Sequence, residues 1–105
     1  MIPYNKRAAV YKTAIWLLGR DSRLWQAVEE MSELLKELAK IQRPGGTTME
    51  KLIDELADVA VMVEQLVLML GVREEVKERI DFKVRRLAVD TLHLPDPTPE
   101  EEVMP

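Results

Sequence analysis

The 105-residue chain contains no cysteine, which excludes disulfides and thiolate metal sites and fits a reducing compartment. Histidine is almost as scarce. The single one, His93, lies near the C-terminus, so a di-iron bundle built on paired Glu-x-x-His motifs lacks its ligands. Period-two alternation is missing, and few glycines or prolines fall between short β-branched runs, so nothing reads as a sheet. The longest apolar region, Leu56 to Leu70, carries Asp58, Glu64 and Gln65 and is too short to span a bilayer. The N-terminal apolar stretch is broken by Lys12 and lacks a small-residue cleavage site, so no signal peptide is expected, and a cytoplasmic location with no membrane partner is. Basic excess is also missing. A formal charge of -4 argues against nucleic acid as a partner and means that a phosphate-bearing ligand needs a bridging cation.

What remains is helical. With 47% hydrophobic and 32% charged residues, the chain has the make-up of one ordinary globular domain. A first helix is predicted over Tyr4–Leu18, stopped by Gly19. Asp21 or Ser22 can cap a second, in which Leu24, Val28, Met31, Leu35 and Leu38 form an apolar stripe widened by Ala27, Leu34 and Ile41. The segment "RPGG" at 43–46 breaks it. Thr47 and Glu50 have capping-box spacing, so a third helix should begin near Thr48 and stop at Gly71. A fourth runs from about Val72 to Thr91, with Val76, Ile80, Val84 and Leu87 on its apolar side. The expected architecture is an all-α, four-helix bundle-like domain over residues 1–93, followed by a flexible Pro/Glu-rich tail over 94–105. The third helix is apolar nearly all round beyond Val59, which predicts an obligate homo-oligomer, a homodimer or a dimer of dimers.

The charged residues carry a second pattern. Glu30 and Glu33 are three residues apart on the second helix, and Glu55 and Asp58 repeat that spacing on the third, so each pair shares a helix face. Gln26 and Glu37 extend the first pair's face by one turn in each direction. Antiparallel packing around "RPGG" can bring the two pairs together. Oxygen donors without histidine or cysteine suit a hard cation, magnesium with manganese as a substitute. Taken singly, Glu30 and Glu33 fit a solvated face, and Glu55 fits a favourable place near a helix N-terminus. Asp58 is different. It lies beyond the first turns, between Leu56, Ala57, Val59 and Ala60, where an unpaired carboxylate is costly.

"AVEEMSELLKEL" followed by "LIDELADVAVMVEQL" resembles the MazG-like nucleoside triphosphate pyrophosphohydrolases of the all-α NTP pyrophosphatase superfamily. Their Glu-x-x-Glu and Glu-x-x-Asp motifs fall on Glu30, Glu33, Glu55 and Asp58, and the likeness covers roughly residues 20–90. The resemblance implies that these four residues hold magnesium. It implies hydrolysis of a nucleoside triphosphate to the monophosphate and pyrophosphate, in the role of nucleotide-pool housecleaning. Glu30 and Glu33 are the implied catalytic carboxylates, one glutamate orienting the attacking water. Lys83 and Arg86 on the last helix, with Lys36 and Lys40, are candidate phosphate contacts, although each taken singly fits a solvated basic residue. Gln26 is a candidate for hydrogen bonding to base or sugar, and Trp25 for stacking, while Trp16 fits a core role better.

Two alternatives stand beside this reading. One is a phosphoribosyl-ATP pyrophosphatase of the same superfamily. The other is a non-catalytic helical oligomerisation or adaptor module, in which the acidic faces serve only solvation.

Overall fold

A computed structural model describes residues 1–100, and residues 101–105 of the acidic tail lie outside the described residues. The described chain is all-helical, with four α-helices and a π-helical turn, and it contains no strand among those residues. No helix among them is long and apolar enough to cross a membrane. The chain divides into two compact units, Met1–Gly71 and a second starting at Val72.

The first unit holds α1 (Tyr4–Leu18), α2 (Arg20–Lys40) and α3 (Met49–Leu70). α1 and α2 are separated by Gly19 alone, whose φ of 90° lies in the region that favours glycine. Its N–H donates to Ile15 O at 2.9 Å and its carbonyl accepts from Arg23 N at 3.2 Å, so one residue ends one helix and opens the next. The expected side-chain cap from Asp21 or Ser22 is therefore not used, because the backbone turn already supplies the first helical acceptor.

α2 and α3 form an antiparallel hairpin through residues 41–48, and it is the most extensive packing in the unit. Gly46 lies so close to Lys40 that a Cβ there would collide with its carbonyl. Thr48, one residue later than the predicted cap, accepts from Lys51 N at 3.2 Å and starts α3. Thr47 is committed elsewhere: its hydroxyl donates to the Glu37 carboxylate. Lys40 and Lys51 bring their Nζ atoms to 3.5 and 3.6 Å from the same carboxylate. Glu37 is 1% exposed, so these partners are what makes its burial tolerable. At the far end Gly71 closes α3 in the left-handed conformation, as expected.

A polar cluster around Glu64 ties α1 to α3. Glu64 accepts from Arg7 Nε at 3.0 Å, Arg7 Nη2 at 3.2 Å and the Tyr11 hydroxyl at 2.9 Å. Burial and the Glu64 charge both push the Tyr11 phenol up from its ordinary value. The interior is small: Ala8, Tyr11, Ala27, Leu52 and Met62 are buried, with Glu37 and Gln65. Complete burial of a side chain such as Met62 contributes about 1.5–3 kcal/mol.

The apolar stripe of α2 does not join that interior. Leu24, Val28, Met31, Leu35 and Leu38 are all exposed, Leu35 at 69%, whereas the buried positions of the helix are Ala27 and Glu37. Trp16, for which a core role was expected, is 82% exposed. Helical periodicity identifies an apolar face but not the surface that covers it, and here α3 packs beside the stripe's edge.

The second unit contains α4 (Arg73–Arg86) and the π-helical turn Leu87–Thr91, which together span the predicted fourth helix. Leu92 N donates to Leu87 O at 3.0 Å, and His93 then adopts a φ of 56° that ends the helical path. Within the predicted tail, Asp96 accepts from Thr98 N at 2.9 Å and from its hydroxyl at 2.6 Å. Those bonds hold the Asp96 carboxyl below its ordinary range.

Glu37 generates a pH prediction. Thr47, then Lys40 and Lys51, hold its carboxyl below the usual range despite burial. Its stabilisation is thus fully present above the ordinary carboxylate pKa and is lost as pH falls through the lowered value. Glu37→Gln should melt about 5 °C or more below wild type at pH 7, and the gap should shrink below about pH 4. Thermal melts across pH test this; parallel curves for the two proteins would refute it.

Candidate functional site

The α2–α3 hairpin places the two acidic pairs opposite each other. Pairing of Glu37 with Thr47 and Lys51 sets the register near the turn. Carried two turns along the antiparallel helices, that register puts Glu30 beside Glu55 and Asp58. One carboxylate oxygen from each of these three residues lies within 4.8 Å of the other two. Glu30 and Glu55 are half-buried. Antiparallel packing explains the geometry, since the i, i+3 spacing on α3 sends Glu55 and Asp58 to one side.

Glu33 is half-buried one turn closer to the hairpin loop. It stands outside the group of mutually close oxygens, yet its charge is felt at Glu55. Desolvation first, and then Asp58, Glu33, Glu30 and Asp54, push the Glu55 carboxyl above its ordinary value. Every charge acting on Glu55 in that set is negative. The contrast with Glu37 is instructive, because that carboxylate, two turns from Glu30 along α2, has a hydroxyl and two ammonium groups around it.

Such a donor set fits a hard divalent cation. It offers only oxygens, holds them within the span of one coordination sphere, and places like charges against one another at Glu55. Glu30, Glu55 and Asp58 would hold the ion, and Glu33 stands beside that group, with its charge acting on Glu55.

The remaining candidates divide by surroundings. Gln26 donates from Nε2 to Glu30 Oε1 at 2.8 Å, so its amide is directed at the acidic group. Trp25 is 73% exposed on α2, free of the chain's own core. Lys36 is exposed, and Lys40 is half-buried with its ammonium on Glu37. Lys83 and Arg86 are exposed on α4, in the second unit. Sequence reasoning passed over Lys51 and Thr47, whose link to Glu37 spans the hairpin; the signal for it is a carboxylate on the inward line through Ala27 and Glu30, which must find a partner once buried.

The repulsion among the acids leads to a prediction. In metal-free buffer Asp58→Asn should melt a few degrees higher than wild type, roughly 2–5 °C, because it removes one like charge. Magnesium should raise the melting temperature of wild type and leave that of Asp58→Asn almost unchanged. Differential scanning calorimetry with EDTA or magnesium checks both statements, and an equal magnesium shift in the two proteins would count against a metal at Asp58.

No protein-family model, curated protein or solved structure matches the chain.

Proposed function

We propose that the chain is a magnesium-dependent nucleoside triphosphate pyrophosphohydrolase that works as a small homo-oligomer. The observation that carries this reading is the meeting of the Glu30, Glu55 and Asp58 carboxylates from two helices, with one oxygen of each within 4.8 Å of the other two. The likeness of the two acidic motifs to the MazG-like enzymes supplies the reaction class, and the meeting of Glu30, Glu55 and Asp58 supplies a place for the cation that it requires. A divalent ion bound there supplies neutralisation of charge on the phosphate oxygens and a water of lowered pKa.

The side chains divide the work. Glu30, Glu55 and Asp58 would hold the cation, which would offset the charge of an anionic substrate that the acidic face would otherwise repel. Glu33, outside the trio and half-buried, orients the attacking water and takes up its proton. Water oxygen forms the new bond to phosphorus, and the bridging oxygen between the α and β phosphates leaves with pyrophosphate, so the products are the nucleoside monophosphate and pyrophosphate. Lys36 is free to approach the phosphates, whereas Lys40 would first have to leave Glu37.

Oligomerisation is part of the proposal. The α2 stripe and the neighbouring residues of α1, Trp16, Leu17 and Leu18 among them, expose more apolar surface than a lone small domain ordinarily tolerates. A second copy of the chain is the occupant proposed for it. Sedimentation velocity should give a dimer or dimer of dimers, and Leu35→Glu should shift it toward monomer. A monomer for the wild-type chain would remove this element and leave the metal chemistry untouched.

Activity is tested by pyrophosphate release from a panel of canonical and modified nucleoside triphosphates, with phosphoribosyl-ATP as a separate arm. Wild type should hydrolyse at least one triphosphate with magnesium and none with EDTA. Asp58→Ala and Glu55→Gln should lose roughly 100-fold or more of kcat. Turnover confined to phosphoribosyl-ATP would reassign the substrate. No turnover on any of them would favour the non-catalytic oligomerisation module.

A further inference from the structure

We infer that Gln26 is a positioning residue for the metal, acting on Glu30, rather than a contact to the base or sugar. The inference rests on the reading of the acidic group as a metal site and deepens it. Gln26 lies one helical turn before Glu30 on α2, and both side chains are half-buried on the face toward α3. The amide Nε2 donates to Glu30 Oε1 at 2.8 Å. That nitrogen is a donor with no charge, so it restrains the carboxylate without competing with a cation for it. An ammonium or guanidinium at the same place would neutralise Glu30 and repel the ion.

The bond has a geometric consequence. A carboxylate on a three-torsion side chain can turn its plane freely in water, and the hydrogen bond from the half-buried Gln26 amide one turn away restricts that freedom. The Glu30 lone pairs that Gln26 does not use are then available toward Glu55 and Asp58, within the 4.8 Å group. Ligand-bearing groups are commonly oriented by an outer partner of this kind, and losing the partner weakens metal binding by about 10–100-fold. Glu55 and Asp58 have no corresponding amide among the hydrogen bonds of the described residues, which makes Gln26 the one neutral restraint on the trio.

The test uses the whole chain with Gln26→Met and Gln26→Leu, both of which keep an unbranched or helix-favouring stem and remove the donor. Manganese alone is titrated by isothermal calorimetry without nucleotide, and pyrophosphate release is then measured over a range of magnesium. Both variants should bind manganese about tenfold more weakly than wild type. Saturating magnesium should restore kcat, with KM for the nucleotide unchanged. Unchanged manganese affinity with a raised nucleotide KM would overturn the inference and make Gln26 a substrate contact. Unchanged affinity with unchanged kinetics would overturn it as well. Wild type that fails to bind manganese would overturn the metal reading itself, and this inference with it. A melting temperature in metal-free buffer close to that of wild type shows that a variant has folded, and agreement between the two variants separates loss of the donor from any repacking peculiar to one side chain.

Discussion

The burial of the Glu37 carboxylate at the mouth of the α2–α3 hairpin is the constraint on which the arrangement of the acidic residues depends. A carboxylate that is 1% exposed must be matched by partners, and it takes them from both sides of the turn: Lys40 on its own helix, Thr47 in the loop and Lys51 on the next helix. Those bonds allow one register. A shift of a single residue along α3 would turn Lys51 away and cost Glu37 its only partner on that helix among those described. In the register they select, Glu30 faces Glu55 and Asp58, so a structural ion pair at one end of the hairpin aligns the acidic residues two turns away.

Glu37 and the trio show how the same residue type acquires opposite properties from its surroundings. At Glu37 the bonds to Thr47 and the lysines outweigh desolvation and hold the carboxyl low. At Glu55 desolvation and neighbouring acids act together and push the carboxyl up. The first arrangement is complete in itself and serves the fold. The second sets like charges against one another, and it is on this arrangement that the proposed metal site rests. Gln26 belongs to the second arrangement, since it directs Glu30 without relieving the charge.

Much of this was legible in the residues. Gly19 and Gly71 marked helix ends because only a residue without Cβ takes those backbone angles cheaply, and α1 and α3 end at them. The two acidic pairs were legible because i, i+3 spacing puts both members on one face whatever lies opposite. The cap of α3 was misplaced by one residue, since Thr47 and Thr48 are chemically equivalent in sequence and only the distant Glu37 distinguishes them. The i, i+4 spacing put Gln26 on the face of Glu30, but only the structure shows its amide donating to that carboxylate. The α2 stripe was a true apolar face, but the inward line of that helix runs instead through Ala27 and Glu37.

The sequence by itself determined the helical class, most helix ends and the identity of the four acidic residues, because these follow from backbone preferences and from local periodicity. Tertiary structure decided which carboxylates meet, which one is neutralised and which apolar face is left uncovered. Those outcomes depend on pairing between helices far apart in the chain: Glu37 with Lys51, Glu64 with Arg7 and Tyr11, and Glu30 with Asp58. A helix specifies its own faces, and the free energy of burying charge specifies which face another helix is allowed to cover.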